Sequence, residues 1–296
     1  MKRAALLCLG AVAFAMACAS ALKSLEGATT EGTAAGDLVR GLNRARKSFE
    51  DLDPSEEHFV GRAVAAQVVA TPEYPLSGNE SLVDYVNRVG NAIVLNCDQV
   101  RHTFIGYHFA VLDTDEINAF AAPGGTIFVT RGLIRRTRSE DELAGVLAHE
   151  IAHVHHRHGL GAIKNSNLLA AFQYLASGAS KAVMDQEQLG KLTGIFDDSI
   201  KDITTSLIKN GYGRGKEYEA DKTGAGFAAA AGYDPGGLHA LIQRLGSEGG
   251  NGGVFATHPS PKDRLDELGR PPAGVIDAEG QRVRGVRYHR CVDETK

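Results

Sequence analysis

Residues 139–159 read Ser-Glu-Asp-Glu-Leu-Ala-Gly-Val-Leu-Ala-His-Glu-Ile-Ala-His-Val-His-His-Arg-His-Gly. Ser139 is suited to cap a helix, and Glu140, Asp141 and Glu142 would sit in a first turn that favours negative charge. Leu143, Val146, Leu147, Ile151 and Val154 recur at helical spacing and make an apolar stripe. Gly159 is the natural stop. On this helix His149 and His153 are separated by one turn and are offset by about 40°, so both imidazoles can reach one metal ion. Glu150 lies about 100° round from His149, beside the metal and not on it. There it can take a proton from metal-bound water. A buried helix with two hydrogen-bonded histidines is the bland alternative.

A catalytic zinc needs a third protein ligand and an open position. The metzincin extension fails, because position 156 is His and position 159 is Gly. His155, His156 and His158 are expected to act as cationic side chains near the helix C-terminus. Glu217-Tyr218-Glu219-Ala220-Asp221 follows the Gly213–Gly215 break. Glu217 and Asp221 share one helix face, and Glu219 points nearly the opposite way. Glu217 is the candidate third ligand, with Asp221 orienting a ligand histidine through its second nitrogen. Spacing alone leaves a solvated acidic helix start as an equal reading. Ala220, Gly224 and Ala228 are small enough for this helix to lie close against another. His258 falls on a loop before the Ser260-Pro261 helix start, placed to enter a cleft or to stabilise its own turn. Arg264, one turn into that helix, is expected to play a structural part.

Around this centre the period of the sequence changes several times. Helices are expected over about 55–70 and 80–96, the second with Leu82, Tyr85, Val86, Val89, Ile93 and Val94 on one side. Phe104–Leu112, Glu116–Ala121 and Thr126–Thr130 read as strands, the last two flanking the turn Ala122-Pro123-Gly124-Gly125. Residues 163–210 read as two helices, 216–231 as another, and Asp234-Pro235 opens one through Leu245. A short helix runs to Leu268, and 271–296 form a tail with strand-like alternation near Gln281–Tyr288. The expected class is α+β: a mostly helical domain over 55–270 with a small antiparallel sheet.

The chain has 296 residues, is 43% hydrophobic and carries a formal charge of −4. It lacks the basic excess of a nucleic-acid binder, and no such partner is expected. Lys2 and Arg3 precede an apolar run, Ala4–Ala17, too short for a typical spanning helix, so residues 1–21 read as an export signal. Ala15-Met16-Ala17-Cys18 resembles a bacterial lipoprotein box, although Leu is usual at position 15. Cys18 would then be lipidated, giving a membrane anchor. Cleavage after Ala19 or Ala21 is the other reading. Residues 22–54 read as a tether. Cys97 and Cys291 remain, and in an oxidising compartment they are expected to pair as a disulfide.

Together these motifs resemble the zinc metallopeptidase family that includes HtpX and the CAAX prenyl endopeptidases. The resemblance covers about residues 55–268. It rests on Asn118-Ala119-Phe120 with Pro123-Gly124-Gly125, Thr130-Arg131-Gly132-Leu133, His149–His153, Glu217–Asp221 and Thr257-His258-Pro259. It is nearer to exported bacterial members such as LoiP and BepA than to the multi-spanning members. The resemblance implies a zincin-like fold of gluzincin type, with one Zn²⁺ held by His149, His153 and Glu217. It also implies that His258 is a reversible fourth ligand or a donor to the oxyanion, which adds it to Glu150 as a catalytic candidate. The implied activity is endopeptidase cleavage of unfolded or misfolded cell-envelope proteins in the periplasm of a Gram-negative bacterium. An outer-membrane protein assembly factor or chaperone with incidental or self-inhibited cleavage is the alternative.

Overall fold

The computed structural model describes residues 52–160, 186–248, 258–269 and 277–292. The export signal with Cys18, the tether up to residue 51, residues 163–185 of the expected helical pair and residues 249–257 lie outside the described residues. The described residues all belong to one compact unit that begins at Leu52. Among the described residues no helix is long and apolar enough to cross a membrane.

Helix α1 (Pro54–Ala70) opens on Asp53, whose carboxylate accepts from the Ser55 and Glu56 amides while Glu56 reaches back to the Asp53 amide. This is a capping box, with proline at the first helical position. Helix α2 (Glu80–Leu95) is capped by Asn79 and buries Leu82, Tyr85, Val86, Val89 and Ile93, as its periodicity predicts. Strands β1 (His108–Leu112), β2 (Ala119–Ala121) and β3 (Thr126–Thr130) follow, with a 3₁₀ turn, Pro123–Gly125, between the last two. Helix α3 (Arg131–Arg136) leads into α4 (Glu140–His155), the helix of the His-Glu-x-x-His motif. Among the described residues the remaining helices are α5 (Gln186–Lys209), α6 (Arg214–Ala230), α7 (Gly237–Ser247), α8 (Pro261–Leu268) and α9 (Ala278–Val292).

The α+β class holds, but the sheet is mixed and not wholly antiparallel. Its order is β1-β3-β2, with β2 antiparallel and β1 parallel to β3. The chain leaves β1, crosses the end of β3, and returns on its other side. Thr130 makes that crossing, its hydroxyl donating to the Glu116 or Asn118 carbonyl and accepting from the Asn118 amide. The first strand is also shorter than expected, because Phe104 and Ile105 stay exposed.

Two further expectations give way. The strand-like tail is helix α9, which buries Tyr288 and Val292 four residues apart and leaves Val283 and Val286 in solvent. Cys97 and Cys291 are free thiols, not a disulfide. Cys97 belongs to the apolar core and Cys291 packs against it, each as a small hydrophobe.

The core wraps α4, which is buried at fourteen positions from Glu140 to Val154. Its three N-terminal acids are not merely complements to a helix dipole. Glu140 receives Arg287 and the Tyr85 hydroxyl. Asp141 accepts from the Asp234 amide and faces Arg284, while Glu142 is held by Arg244. Helix α6 lies directly on α4. A Cβ at Gly224 would stand 2.8 Å from the His149 amide nitrogen, closer than real contacts allow. Gly224→Val should therefore force the helices apart at a cost of about 1–3 kcal/mol, read as a lowered midpoint in chemical denaturation with unchanged slope.

Candidate metal centre

Helix α4 ends earlier than its glycine suggests. His156 is the C-cap and Arg157 adopts a left-handed conformation, φ 57°. The Arg157 amide donates to Val154 and the His158 amide to His153, 3.1 and 3.0 Å. This is a Schellman turn with arginine where glycine is usual. Arg157 is steadied by the buried Glu57 carboxylate, 3.2 Å from its Nε, and by the Leu52 carbonyl. Gly213, φ 90°, starts α6 so that Glu217 falls one turn in, facing α4.

The Nε2 atoms of His149 and His153 converge to 3.0 Å. Glu217 lies 3.5 Å from the first and 3.7 Å from the second. His258, from the segment before α8, brings its Nδ1 onto the same carboxylate. Ligand atoms of these four residues all lie within 4.8 Å of one another. The sequence-predicted set is therefore brought together, with His258 as a fourth member. His149, His153 and Glu217 are each no more than 3% exposed.

Behind His149, Asp221 Oδ1 stands 2.8 Å from Nδ1. Arg264, itself buried, grips Asp221 with Nε and one terminal nitrogen. The structural part expected of Arg264 is thus to hold the carboxylate that faces a candidate ligand. Glu150 is 2% exposed and its Oε2 has no hydrogen-bond partner.

Electrostatics follow the burial. Desolvation opposes a charge on His149, but the Asp221 and Glu217 carboxylates outweigh it and lift the group to about 9. On His153 desolvation wins, holding it neutral well below the usual imidazole range. Desolvation would raise Glu217 too, yet the His258 charge and hydrogen bonds from the histidines hold it well below a normal carboxylate. Asp221 is likewise depressed, burial being overcome by Arg264. Glu150 is pushed up by burial to about 7. Three imidazoles and an ionised carboxylate make a donor set suited to a borderline divalent cation. Beside it stands the Glu150 carboxyl group, with its Oε2 unpartnered, poised near neutrality for proton transfer. The residues present therefore fit a catalytic metal.

Two groups escape the sequence reading. Tyr212 packs its ring on His153, centroids 4.2 Å apart, and its hydroxyl donates to the Ala121 carbonyl. It follows Asn210-Gly211 with no signal beyond a turn. His155, His156 and His158 do not stand free at the helix end but are each engaged by a neighbour. Burial lowers His155 and takes His158 to about 4. His155 accepts from the Arg101 amide, and His156 bonds the Thr223 hydroxyl. His158 Nδ1 lies 2.8 Å from His153 Nδ1.

Residues 82–271 match the family model described as Peptidase family M48. The chain is 31% identical over 249 residues to the beta-barrel assembly-enhancing protease of Yersinia pestis, covering 81% of this chain and 49% of that protein. It is 28% identical over 191 residues to a protease HtpX homolog of Methylibium petroleiphilum, covering 53% of this chain and 66% of that one. It is 29% identical over 162 residues to the mitochondrial metalloendopeptidase OMA1 of Arabidopsis thaliana, covering 54% and 30%. The chain thus spans about half the length of the first of these relatives. With the family model covering most of the chain and the His-Glu-x-x-His helix meeting Glu217 inside it, the chain belongs to peptidase family M48.

Proposed function

We propose that this protein is a zinc endopeptidase that cuts unfolded or misfolded cell-envelope proteins. The observation carrying this is the convergence of His149, His153 and Glu217 beside the orphaned Glu150 carboxyl group. His149, His153 and Glu217 would hold the ion, with Asp221 fixing the tautomer of His149. Zinc, when bound, acidifies water and polarises the scissile carbonyl. Glu150 accepts the proton of the attacking water at its free Oε2 and returns it to the leaving amine. Its burial near neutrality suits both transfers.

An edge strand supplies the substrate platform. The Thr130 amide bonds the Asn118 carbonyl and the Ala122 amide bonds the Thr126 carbonyl, so these residues face β3. Alternation then turns the main-chain groups of Ala119 and Ala121 to the outer edge of β2. An extended peptide pairing there would lie alongside α4, which favours unfolded segments over folded surfaces. At present the Tyr212 hydroxyl takes the Ala121 carbonyl. His258 closes the site from the other side by engaging Glu217, and we read it as a self-inhibiting fourth donor.

Export, a lipid anchor on Cys18 and work at the outer membrane complete the proposal, resting on the N-terminal sequence. Similarity to the beta-barrel assembly-enhancing protease of Yersinia pestis favours one further reading, an assembly role in which cleavage is secondary.

Chelation should abolish cleavage of an unfolded protein substrate, and added Zn²⁺ should restore it. Glu150→Gln should keep stoichiometric zinc and lose roughly 10²–10⁴-fold in kcat. If envelope integrity in cells survives that change, assembly is the main role. His258→Ala should cleave faster than wild type at equal zinc content, and a dead variant would make His258 a donor to the oxyanion instead. Tyr212→Phe keeps the ring on His153 but frees the Ala121 carbonyl, so KM for unfolded substrate should fall with kcat little changed.

A further inference from the structure

His149 and His153 are supported in different ways. Behind His149 stand a buried carboxylate and its arginine. Behind His153 stands another imidazole, His158, and behind that Glu219. His158 Nδ1 is 2.8 Å from His153 Nδ1, and His158 Nε2 is 3.1 Å from Glu219 Oε2. His158 is 4% exposed, whereas the Glu219 side chain is 53% exposed. We propose that His158 and Glu219 are positioning residues that fix the tautomer and ring orientation of His153, joining the metal site to the protein surface through one directed chain of hydrogen bonds. This rests on reading His153 as a metal ligand.

The donor count fixes the direction. If Nε2 of His153 is to offer a lone pair to a cation, its proton must sit on Nδ1. That N–H then donates to His158 Nδ1, which must be bare. The proton of His158 is therefore on Nε2, where it donates to Glu219. A carboxylate is acceptor only, so it ends the chain in the required sense. Every polar atom along the path is used once.

The backbone builds this placement. The Schellman turn folds the chain back at Arg157, and the His158 amide bonds the carbonyl of His153 itself. His156 stacks on His158 with ring centroids 5.4 Å apart, and the Lys216 ammonium donates to the His158 carbonyl. Glu219 comes from α6, from the face that turns away from Glu217. One helix therefore supplies a candidate ligand, the orienter of one histidine, and the terminus of the chain behind the other.

The test is zinc affinity of the full chain by competition with a chromophoric chelator, with the absorption spectrum of the Co²⁺-loaded protein alongside. His158→Phe keeps the ring and removes the acceptor. It should weaken zinc about 10–100-fold and shift the Co²⁺ bands. His158→Asn places an oxygen near the lost Nδ1 and should recover most of the affinity. Glu219→Gln, on a half-exposed side chain, should fold normally, cost several-fold alone, and add nothing on top of His158→Phe. Melting temperatures of the metal-free variants should match wild type. Wild-type affinity and an unshifted spectrum in both His158→Phe and Glu219→Gln would overturn the proposal. So would His158→Asn as weak as His158→Phe, which would make the ring a packing element. Failure of the metal reading is separate: wild type would then bind no stoichiometric zinc, or Glu217→Ala would bind it as well as wild type, and the chain would fall with it.

Discussion

The contact between Gly224 and the backbone of His149 is the constraint on which the site depends. With no side chain at that position, α6 can settle onto α4 with backbone almost touching backbone. Glu217 and Asp221 lie about two turns and one turn upstream of that contact, on the same face. Only at this separation can a carboxylate as short as that of Asp221 reach Nδ1 of His149 while Glu217 meets Nε2 on the other side of the ring. The glycine does no chemistry, yet it sets the distance at which the chemistry becomes available.

Close approach also excludes water, and this shapes the charges. Buried imidazoles resist protonation and buried carboxyl groups resist ionisation, unless a partner compensates. Glu217 and Asp221 have such partners and remain ionised. Glu150 has none at its Oε2 and is lifted towards neutrality. Glu217 and Asp221 of α6 and Glu150 of α4 face the same interior, and they differ in what each one touches. The proposed division into ligand, orienter and proton carrier follows those contacts.

The parts legible in the sequence are those governed by short-range rules. The capped helices α2 and α4, the turn at Pro123–Gly125 and the i, i+4 pairing of Glu217 with Asp221 follow from spacing and local preference. The parallel pairing of β1 with β3 was hidden, because it depends on a crossing held by Thr130. Helix α9 was hidden because Arg282-Val283-Arg284 and Val286-Arg287-Tyr288 each alternate polar with apolar as a strand would, while its buried face is Tyr288 and Val292. His158 was misread because its position depends on a left-handed arginine, which no periodicity reveals. Tyr212 escaped because its partner, Ala121, lies 91 residues away.

Helix α9 also bears on where this catalytic unit can be cut. The family match ends at residue 271, yet the guanidinium balancing the buried Glu140 belongs to Arg287. A fragment trimmed at the family boundary would leave a desolvated anion at the very start of the helix that carries both histidines, with Asp141 deprived of Arg284 beside it. Domain borders drawn from homology and borders drawn from charge neutralisation therefore differ here by some twenty residues, and the second border is the one that a soluble expression fragment has to respect.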